Sequence, residues 1–279
     1  MNETFLLIKP DGIRLGLVAI AAAAARLRGL EVVDERPVRL GVDDVTLLWP
    51  VLDAVSHPVT VGLTGGYLAA GTCAMLRLSG PDAVGQARAI RKDLRARYGN
   101  HMLGNVAHAP DSAAEARRQF ELLRREPAER AALRSQIPEH LREGRIGTGF
   151  GPEDGPDLAA ACRSAIADLV GSSFQPLVRA PLGPPDATHQ IVVRDDTVNI
   201  ADTFVAGLLE VFPELGPAGA VRAMVQIDLA DASPIIACTP EQFEGHRSAL
   251  ERSGIANVSL HLAPPVRDLV GVASPTGFE

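Results

Sequence analysis

Cysteine and lysine are scarce in this sequence, and the few cysteines argue against a disulfide-bonded scaffold. The three cysteines, Cys73, Cys162 and Cys238, are far apart, odd in number and without metal-ligand spacing. This usage argues against a disulfide scaffold and suits a reducing cytoplasm, where thiols pack as small apolar groups. No basic region precedes a signal-type apolar run, and Arg26 and Arg28 interrupt the alanine-rich stretch at 18–26. We therefore expect a cytoplasmic protein with no membrane partner.

An excess of positive charge is also missing. Acidic residues outnumber basic residues by 34 to 27, which gives a net charge of −7. The chain as a whole therefore repels nucleic acid, and we expect no nucleic-acid partner. Lys9 and Lys92 are the only lysines, so a lysine within a motif is informative. What the chain does have is length, because 279 residues, 46% of them hydrophobic, suffice for roughly two domains with buried cores.

The first 125 residues alternate between short apolar strands and helical patterns. We expect strands at residues 4–8, 30–40, 72–78 and 105–107. We expect helices at residues 17–30, 44–54, 61–70, 81–95 and 111–125. Pro37 should push the second strand toward an edge or a bulge, and Pro10-Asp11-Gly12 should end the first strand with a turn. The alternation predicts an α+β sandwich whose single sheet is covered on one face.

Chemistry-bearing side chains gather at the strand ends of this predicted sandwich. Lys9 follows the first strand, His108 follows the fourth, and Arg88, Arg91 and Arg95 lie on or just after the helix between the third and fourth strands. If the first and fourth strands are neighbours, these side chains converge on one pocket. Such a pocket suits a polyphosphate, because lysine and arginine neutralise phosphate oxygens and an imidazole nitrogen can accept a phosphoryl group. Spacing alone equally allows a solvated arginine face and a histidine that merely packs.

Two separated segments make the N-terminal part recognisable. The stretch "TFLLIKPDGIRLGLV" at 4–18 resembles the opening of nucleoside diphosphate kinases, and "NVAHAPDSAAEA" at 105–116 resembles their active-site segment. Between them, "GLTGGYLAAGTCAML" and "LRARYG" fall where that family has similar segments. The resemblance covers roughly residues 2–125, so we expect a domain at 1–125. It implies a ferredoxin-like α/β sandwich.

The resemblance also implies a mechanism and a set of site residues. His108 would carry a phosphohistidine intermediate formed from the γ-phosphate of ATP or GTP, with Mg²⁺ bridging the phosphates. Asp111 would lie in the vicinity of the metal and the phosphates. The residues expected to contact nucleotide phosphates or ribose are Lys9, Arg88, Arg95 and Asn105. Whether the protein forms a homo-oligomer is left undecided by the sequence, because the loop that the family uses in assembly is shortened here.

The departures from the family pattern matter as much as the matches. The family usually reads His-Gly-Ser-Asp, whereas this chain reads His108-Ala109-Pro110-Asp111 and so lacks the serine hydroxyl. Gln119 stands where the family has a glutamate that orients the imidazole, and it can hydrogen-bond without supplying charge. Thr60 or a neighbour stands where an aromatic residue stacks on the base. The shorter segment between Arg88 and Arg95 removes a phosphate-contacting threonine.

Residues 126–187 change in composition. The segments "EGRIGTGFGPEDGPD" and "VRAPLGPPDAT" are rich in glycine, proline and acid and are typical of linkers. Between them, residues 158–170 have the apolar spacing of one amphipathic helix, which could dock on either domain. We expect a second compact domain at 188–264 and a tail at 265–279. Its predicted order is strand, two helices, strand, helix and strand, and Thr239-Pro240-Glu241-Gln242 has the pattern of a capping box at the start of the third helix.

That order, with "VVRDDTVNIADTFVAGLLEVF" and "AVRAMVQIDLADASPIIACT", resembles the ClpS-type adaptor domains of bacterial Clp proteases. The resemblance implies a small α/β domain with an acidic pocket for a free peptide amino terminus. Arg194 and Asp228 depart from the asparagine or aromatic residue and the histidine that family members commonly carry. The residues expected to form an amine or peptide pocket are Asp195, Asp196, Asp228, Ile200 and Met224. The alternative is that two aspartates after a strand form a solvated turn and that Met224 is a core residue.

Two functions from different classes follow. As an enzyme, the chain would be a nucleoside diphosphate kinase-like phosphotransferase that uses His108, with a peptide or amine-bearing acceptor held by the second domain. As a binding module, it would be a nucleotide-binding adaptor that recognises peptide amino termini. The presence of His108, Lys9 and two aligned arginines favours the enzyme. The lost threonine, serine and glutamate favour the adaptor.

Overall fold

The computed structural model describes residues 3–50, 52, 57–99, 101, 103–133, 150, 153–172, 187–195 and 200–262. Its contacts divide the chain into two compact units, Met1–Gln175 and Pro176–Glu279. The division falls inside the segment 126–187 that the composition marks as linker. Each unit has its own antiparallel sheet.

In its described ranges, the first unit contains four strands and the helices that cover them. The strands are β1 (Glu3–Ile8), β2 (Glu31–Arg39), β3 (Thr72–Ser79) and β4 (Ala107–His108). The helices are α1 (Pro10–Arg14), α2 (Leu17–Leu27), α3 (Asp44–Leu48), α4 (Pro58–Ala69), α5 (Ala83–Tyr98), α6 (Ala113–Leu123), α7 (Pro127–Leu133) and α8 (Gly155–Gly171).

The sheet of this unit has the order β2-β3-β1-β4, with every neighbouring pair antiparallel. Side chains alternate across β1, so Leu6 and Ile8 join the core beneath α2 and α5. Phe5 and Leu7 are fully buried on the opposite face, where α6 packs against β1. The expectation that the sheet is covered on one face is therefore wrong, because apolar side chains of β1 require burial on both faces.

Strand and helix bounds follow the sequence with instructive differences. The edge position of β2 agrees with the expected effect of Pro37, whereas the register shift lies between Val32 and Asp34, away from the proline. The turn expected at Pro10-Asp11-Gly12 is instead the start of helix α1, because proline at the first helical position is already set to a helical φ. Pro58 likewise starts α4 earlier than expected. Helix α3 ends at Leu48, ahead of Pro50, whose preceding residue disfavours helix.

Helices α7 and α8 lie within the segment expected to be linker, and both pack on the first unit. Helix α8 lies along α4 at two glycines, where an added Cβ at Gly62 would lie 2.9 Å from Cys162 Sγ and one at Gly66 would lie 3.0 Å from Ile166. Helix α7 is tied to α3 by a buried ion pair in which Arg130 Nε lies 2.9 Å from Asp44. The amphipathic helix expected at 158–170 therefore docks on α4.

The second unit has the element order that the sequence predicts. Its elements are β5 (His189–Arg194), α9 (Ala201–Val211), a short 3₁₀ helix (Pro213–Leu215), α10 (Gly216–Ala230), β6 (Ala232–Cys238), α11 (Pro240–Arg252) and β7 (Val258–Leu262). The sheet order is β6-β5-β7, so the apolar strand β5 is central. The capping box at Thr239 and Gln242 is present, with the Thr239 backbone N–H donating to Gln242 Oε1 at 3.0 Å.

Over the ranges that the structure describes, no single helix has the length and apolarity needed to cross a bilayer. Only Ala201–Val211 and Pro213–Ala230 taken together meet those criteria, and they are bent by 108°.

Candidate active site

His108 is buried at the end of β4, directly opposite Leu7 of β1. The first and fourth strands are therefore neighbours, as the predicted pocket requires. The Trp49 ring meets the imidazole edge-on with centroids 5.1 Å apart, and the Phe5 ring is tilted at 6.2 Å. Imidazole Nε2 lies 2.8 Å from Oε1 of Gln119, which is fully buried on α6. These contacts fix the ring plane.

The other contacts of Gln119 identify the tautomer of His108. Gln119 Nε2 donates to the Leu48 carbonyl at 3.0 Å and to Glu115 Oε1 at 2.8 Å. Because that amide nitrogen faces two acceptors, Oε1 is the atom that accepts from the imidazole, and Nε2 of His108 carries the hydrogen. The lone pair is then on Nδ1.

The charge state of His108 is set mainly by burial. Burial lowers the pKa of His108 to about 3; the hydrogen bond that the imidazole donates to Gln119 opposes this shift, while the positive charges of Lys9, Arg91 and Arg95 reinforce it. At neutral pH the imidazole is therefore uncharged with an available lone pair. A neutral histidine of this kind can act as a nucleophile.

Lys9, which follows β1, is the second buried titratable group. Its ammonium donates to Asn105 Oδ1 and lies 5.6 Å from the centre of the Tyr67 ring. Burial, reinforced by the positive charge of Arg95 and opposed by Asp11, lowers the pKa of Lys9 to about 7. The structure thus brings Lys9 and Asn105 together, as expected from the sequence, and leaves the lysine easily titrated.

Asp11 is a site residue that the sequence argument missed. One carboxylate oxygen accepts from the Tyr67 hydroxyl and from the Gly12 backbone N–H at 2.9 Å, and the other accepts from the Val106 N–H at 3.1 Å. Burial and Asp11 raise the pKa of Tyr67, so its hydroxyl stays protonated and donates. The only sequence signal for it is the Pro-Asp-Gly motif, which by itself indicates no more than a turn.

Asp11 holds a strained backbone next to His108. Val106 has a φ of +45°, a conformation that a β-branched residue rarely adopts. The Asp11 carboxylate fixes its N–H, and the Lys9 N–H donates to its carbonyl at 2.9 Å. Gly12 permits this approach, since a Cβ there would lie 2.5 Å from the Val106 carbonyl oxygen. Strain that is held by several contacts is typical of functional sites.

The arginines of α5 face the His108 segment. Arg95 donates from Nε and Nη2 to the Ala107 carbonyl at 3.0 and 2.9 Å, and Arg91 donates from Nη1 to the Ala109 carbonyl at 2.7 Å. The two carbonyls flank His108. The alternative of a purely solvated arginine face is therefore wrong for these two side chains, and Arg91 joins the site although only Arg88 and Arg95 were carried over from the family pattern.

Asp111 completes this arrangement. Arg91 Nη2 and Arg88 Nε each lie 3.0 Å from Asp111 Oδ1. Burial alone would raise the pKa of Asp111, but Arg91 and Arg88 outweigh it and hold this pKa below its usual value. The carboxylate therefore stands as an anion against two guanidinium groups, and it marks where another anion could bind.

Arg118 on α6 holds the end of α3, which precedes the Trp49 ring that packs on the imidazole. Its guanidinium donates to the carbonyls of Leu47 and Leu48 at 2.5 and 2.7 Å, which are the last carbonyls of α3. Trp49 follows directly, so Arg118 and Gln119 together hold the indole against His108. Thr60, which stands at the expected base-stacking position, is half-buried in the first turn of α4.

The expected pocket residues of the second unit occupy different environments. Asp195 is exposed after β5, with its backbone N–H donating to the Asp231 carbonyl at 2.9 Å. Asp228 and Met224 are buried on α10, and Ile200 is half-buried before α9. Asp196 lies outside the described residues. Within the described ranges no cluster of three or more His, Cys, Asp or Glu side chains could hold a metal ion.

The first unit thus combines an antiparallel α/β sandwich with a neutral buried histidine and a surrounding cationic group, the features of a histidine-centred anion site. The nucleoside diphosphate kinase of Pelotomaculum thermopropionicum is 30% identical over 132 residues, which are 44% of this chain and 87% of that protein. That of Methanospirillum hungatei is 28% identical over 130 residues, which are 43% of this chain and 85% of that protein. Through its N-terminal half, the chain belongs to the nucleoside diphosphate kinase family.

Solved structures of similar proteins include the nucleoside diphosphate kinase of Aquifex aeolicus. It covers 46% of this chain and 97% of its own, with 20% identity and a TM-score of 0.38. A nucleoside diphosphate kinase family protein from Babesia bovis covers 46% of this chain and 90% of its own, with 22% identity and a TM-score of 0.38. No protein-family model matches the chain.

Proposed function

We propose that the first unit is a nucleotide-dependent phosphotransferase that works through a phosphohistidine at His108. The observation that carries the proposal is the neutral imidazole whose Nε2–H is held by Gln119, which leaves the Nδ1 lone pair free to react. Nδ1 attacks the γ-phosphorus of ATP or GTP, the bond to the β–γ bridging oxygen breaks, and the nucleoside diphosphate leaves. An acceptor oxygen or nitrogen then attacks the phosphorus and loses its proton to solvent, while the Nδ1–phosphorus bond breaks and its electron pair returns to Nδ1, which regenerates the neutral imidazole.

The cationic side chains would neutralise the phosphates. Lys9, Arg88 and Arg95 are the contacts carried over from the family pattern, with Asn105 beside Lys9, and Arg91 extends the set because it already faces the anion Asp111. A phosphate group that takes the place of the Asp111 carboxylate would meet two guanidinium groups. Arginine forks bind such oxygens in pairs.

Mg²⁺ would arrive with the nucleotide as part of the substrate. Of the nearby carboxylates, Asp11 accepts three hydrogen bonds and Asp111 is paired with two arginines. Neither is therefore suited to bind the ion directly. Mg²⁺ bound to substrate phosphates keeps several of its waters and needs no cage of protein ligands. The three cysteines, all buried and reduced, suit the cytoplasm, which supplies ATP and GTP.

The test is incubation of the purified chain with γ-labelled ATP or GTP and Mg²⁺, followed by assay for acid-labile, alkali-stable label. We expect label on the wild type and none on His108→Ala. Equal label on both would exclude His108 as the phosphate carrier. Nucleoside diphosphates are the first acceptors to test, followed by peptides with a free amino terminus.

A second candidate function rests on the second unit. Its order of strand, two helices, strand, helix and strand around an antiparallel sheet supports a ClpS-like adaptor domain. In this reading, Asp195, Asp196 and Asp228 would attract the amino terminus of a peptide, and Ile200 and Met224 would line its side-chain pocket. The same pocket could present a phosphoryl acceptor to the enzyme.

The adaptor proposal has its own test. A labelled peptide with a free amino terminus should bind, and Asp195→Ala should weaken binding. An acetylated peptide that binds equally well would exclude amino-terminus recognition. Self-association of the full chain, measured by light scattering, would decide whether the protein is a homo-oligomer.

A further inference from the structure

A carboxylate lies directly behind the amide that holds His108. Gln119 Oε1 accepts from the imidazole, and Gln119 Nε2 donates to Glu115 Oε1 at 2.8 Å. Gln119 and Glu115 are separated by one turn of α6, so their side chains are neighbours on one helix face. The three groups form a chain of two hydrogen bonds that runs from a nucleophile to a negative charge.

This pair of hydrogen bonds bears on the replacement of the family's glutamate by Gln119. A glutamine contacting the imidazole supplies no charge itself, but hydrogen-bonded groups in a buried site polarise one another. A carboxylate that accepts from the amide nitrogen shifts electron density toward Oε1, which then becomes a stronger acceptor for the imidazole N–H. The effect favours the Nε2–H tautomer and stabilises the positive charge that develops on the ring as Nδ1 attacks phosphorus.

Glu115 also has a structural contact, which defines the competing explanation. Its second oxygen accepts from the Asp111 backbone N–H at 2.8 Å, and its own N–H donates to Ser112 Oγ at 3.1 Å. Both contacts satisfy donors at the start of α6, as helix caps do. A glutamine at position 115 could keep a cap of this kind but would remove the charge, so the two roles are separable.

We propose that Glu115 is a positioning residue for phosphoryl transfer, acting on His108 through Gln119 and supplying the negative charge that Gln119 lacks. The inference rests on the proposed function, since it assigns a role in the reaction of His108. Other charged groups that face the imidazole are Lys9 from the end of β1, Arg91 and Arg95 from α5, and Asp111 from the loop before α6. All of these stay in place in the variants below.

The kinetic test uses Glu115→Gln, with Glu121→Gln as the matched control. Glu121 lies on the same helix in an exposed ion pair with Arg124 and does not touch the site. We expect Glu115→Gln to slow phosphohistidine formation about tenfold, by analogy with the lower end of the loss caused by removing the hydrogen-bond partners behind metal-bound histidines. The nucleotide KM should change little. Glu121→Gln should match the wild type. Equal rates for Glu115→Gln and wild type would overturn the proposal.

A rescue variant separates charge from capping. In the double variant Glu115→Gln with Gln119→Glu, the carboxylate contacts the imidazole directly and makes the relay unnecessary. Leu48 loses one donor but keeps Arg118. We expect the double variant to regain the wild-type rate, whereas Ser112→Ala, which removes a cap without touching the charge, should lower stability but not the rate in the folded protein. A double variant as slow as Glu115→Gln would show that charge is not the missing element.

A spectroscopic measurement keeps the inference distinguishable from the proposed function. Nitrogen NMR shifts of a labelled imidazole report which ring nitrogen carries the hydrogen, with no turnover required. We expect the Nε2–H form in the wild type and a larger share of the Nδ1–H form in Glu115→Gln. If the wild type takes up no phosphate but Glu115→Gln shows this NMR change, the result counts against phosphotransfer and not against the relay. If the tautomer is unchanged in Glu115→Gln, the result counts against the relay alone.

Discussion

The sites predicted in the two units differ in how far their titratable side chains are buried. In the first, Lys9 and His108 are nearly inaccessible to solvent, with pKa values lowered to about 7 and about 3. In the second, Asp228 is also buried on α10, whereas Asp195 stands exposed after β5. Burying a titratable group is costly unless partners are provided, so such groups concentrate where chemistry requires them. The two buried groups with lowered pKa values therefore favour the first unit as the place of the proposed reaction.

The largest expected effect is the loss of phosphate labelling when the histidine of the first unit is replaced, compared with replacement of a histidine in the second unit. His108→Asn should lower phosphate labelling by at least about 10³-fold, the scale of losing an essential nucleophile. The matched control is His261→Asn in the second unit, where His261 is exposed on β7 and bonds to Ser259. Labelling of His261→Asn should equal that of the wild type. A comparable loss in both variants would mean that the difference between the units does not mark the reactive one.

The next effect concerns the support of the strained turn. Asp11→Asn replaces a buried carboxylate that accepts three hydrogen bonds with an amide whose nitrogen would face a donor. We expect the free energy of unfolding to fall by about 2–3 kcal/mol, because a buried donor is left unpaired. Urea denaturation measures it. Asp93→Asn, which removes only the exposed ion pair with Arg28, should cost less than about 1 kcal/mol; similar losses in both would rule out Asp11 as a special support.

The sequence predicted much of this site because its signals are local. Lys9 and His108 follow apolar strands that had to be buried, and their neighbouring positions in the sheet need only the antiparallel pairing of β1 with β4. The order of elements in the second unit followed equally from apolar spacing and from the capping box at Thr239. Local pattern and turn chemistry suffice where burial and chain direction agree.

What the sequence could not predict are contacts between distant segments. Tyr67 reaches Asp11 across 56 positions, and Arg118 reaches Leu47 across 71. Each is decided by how helices pack on the sheet, which a residue pattern does not encode. The role proposed for Glu115 has no sequence signal for a different reason, since the family pattern specifies the residue that contacts the imidazole and not the residue hydrogen-bonded behind it.

The third effect tests whether α8 belongs to the first unit. Gly62→Val would place a Cβ 2.9 Å from Cys162 Sγ, so α8 must shift, and we expect a loss of about 1–3 kcal/mol from overpacking. Gly155→Ala, at the start of α8 with nothing within 4 Å of an added Cβ, is the matched control and should not destabilise. Adding Cys162→Ala to Gly62→Val should recover part of the loss. No loss in Gly62→Val would mean that α8 does not pack on α4 in solution.

The smallest effect is a pH dependence that sharpens the contrast between buried and exposed charge. Since the pKa of Lys9 is lowered to about 7, the free protein has lost much of that charge by pH 8, and a bound phosphate must restore it by protonation. The dissociation constant of a non-hydrolysable nucleotide should therefore rise by up to about tenfold per pH unit above pH 7. Lys9→Arg keeps its charge throughout this range, so its nucleotide affinity should not fall through loss of that charge. Any pH dependence that remains in Lys9→Arg comes from titration of the nucleotide itself and is subtracted from the wild-type profile. Parallel pH profiles for the two proteins would mean that Lys9 stays charged in the free site, and that burial there is offset by Asn105 and Asp11.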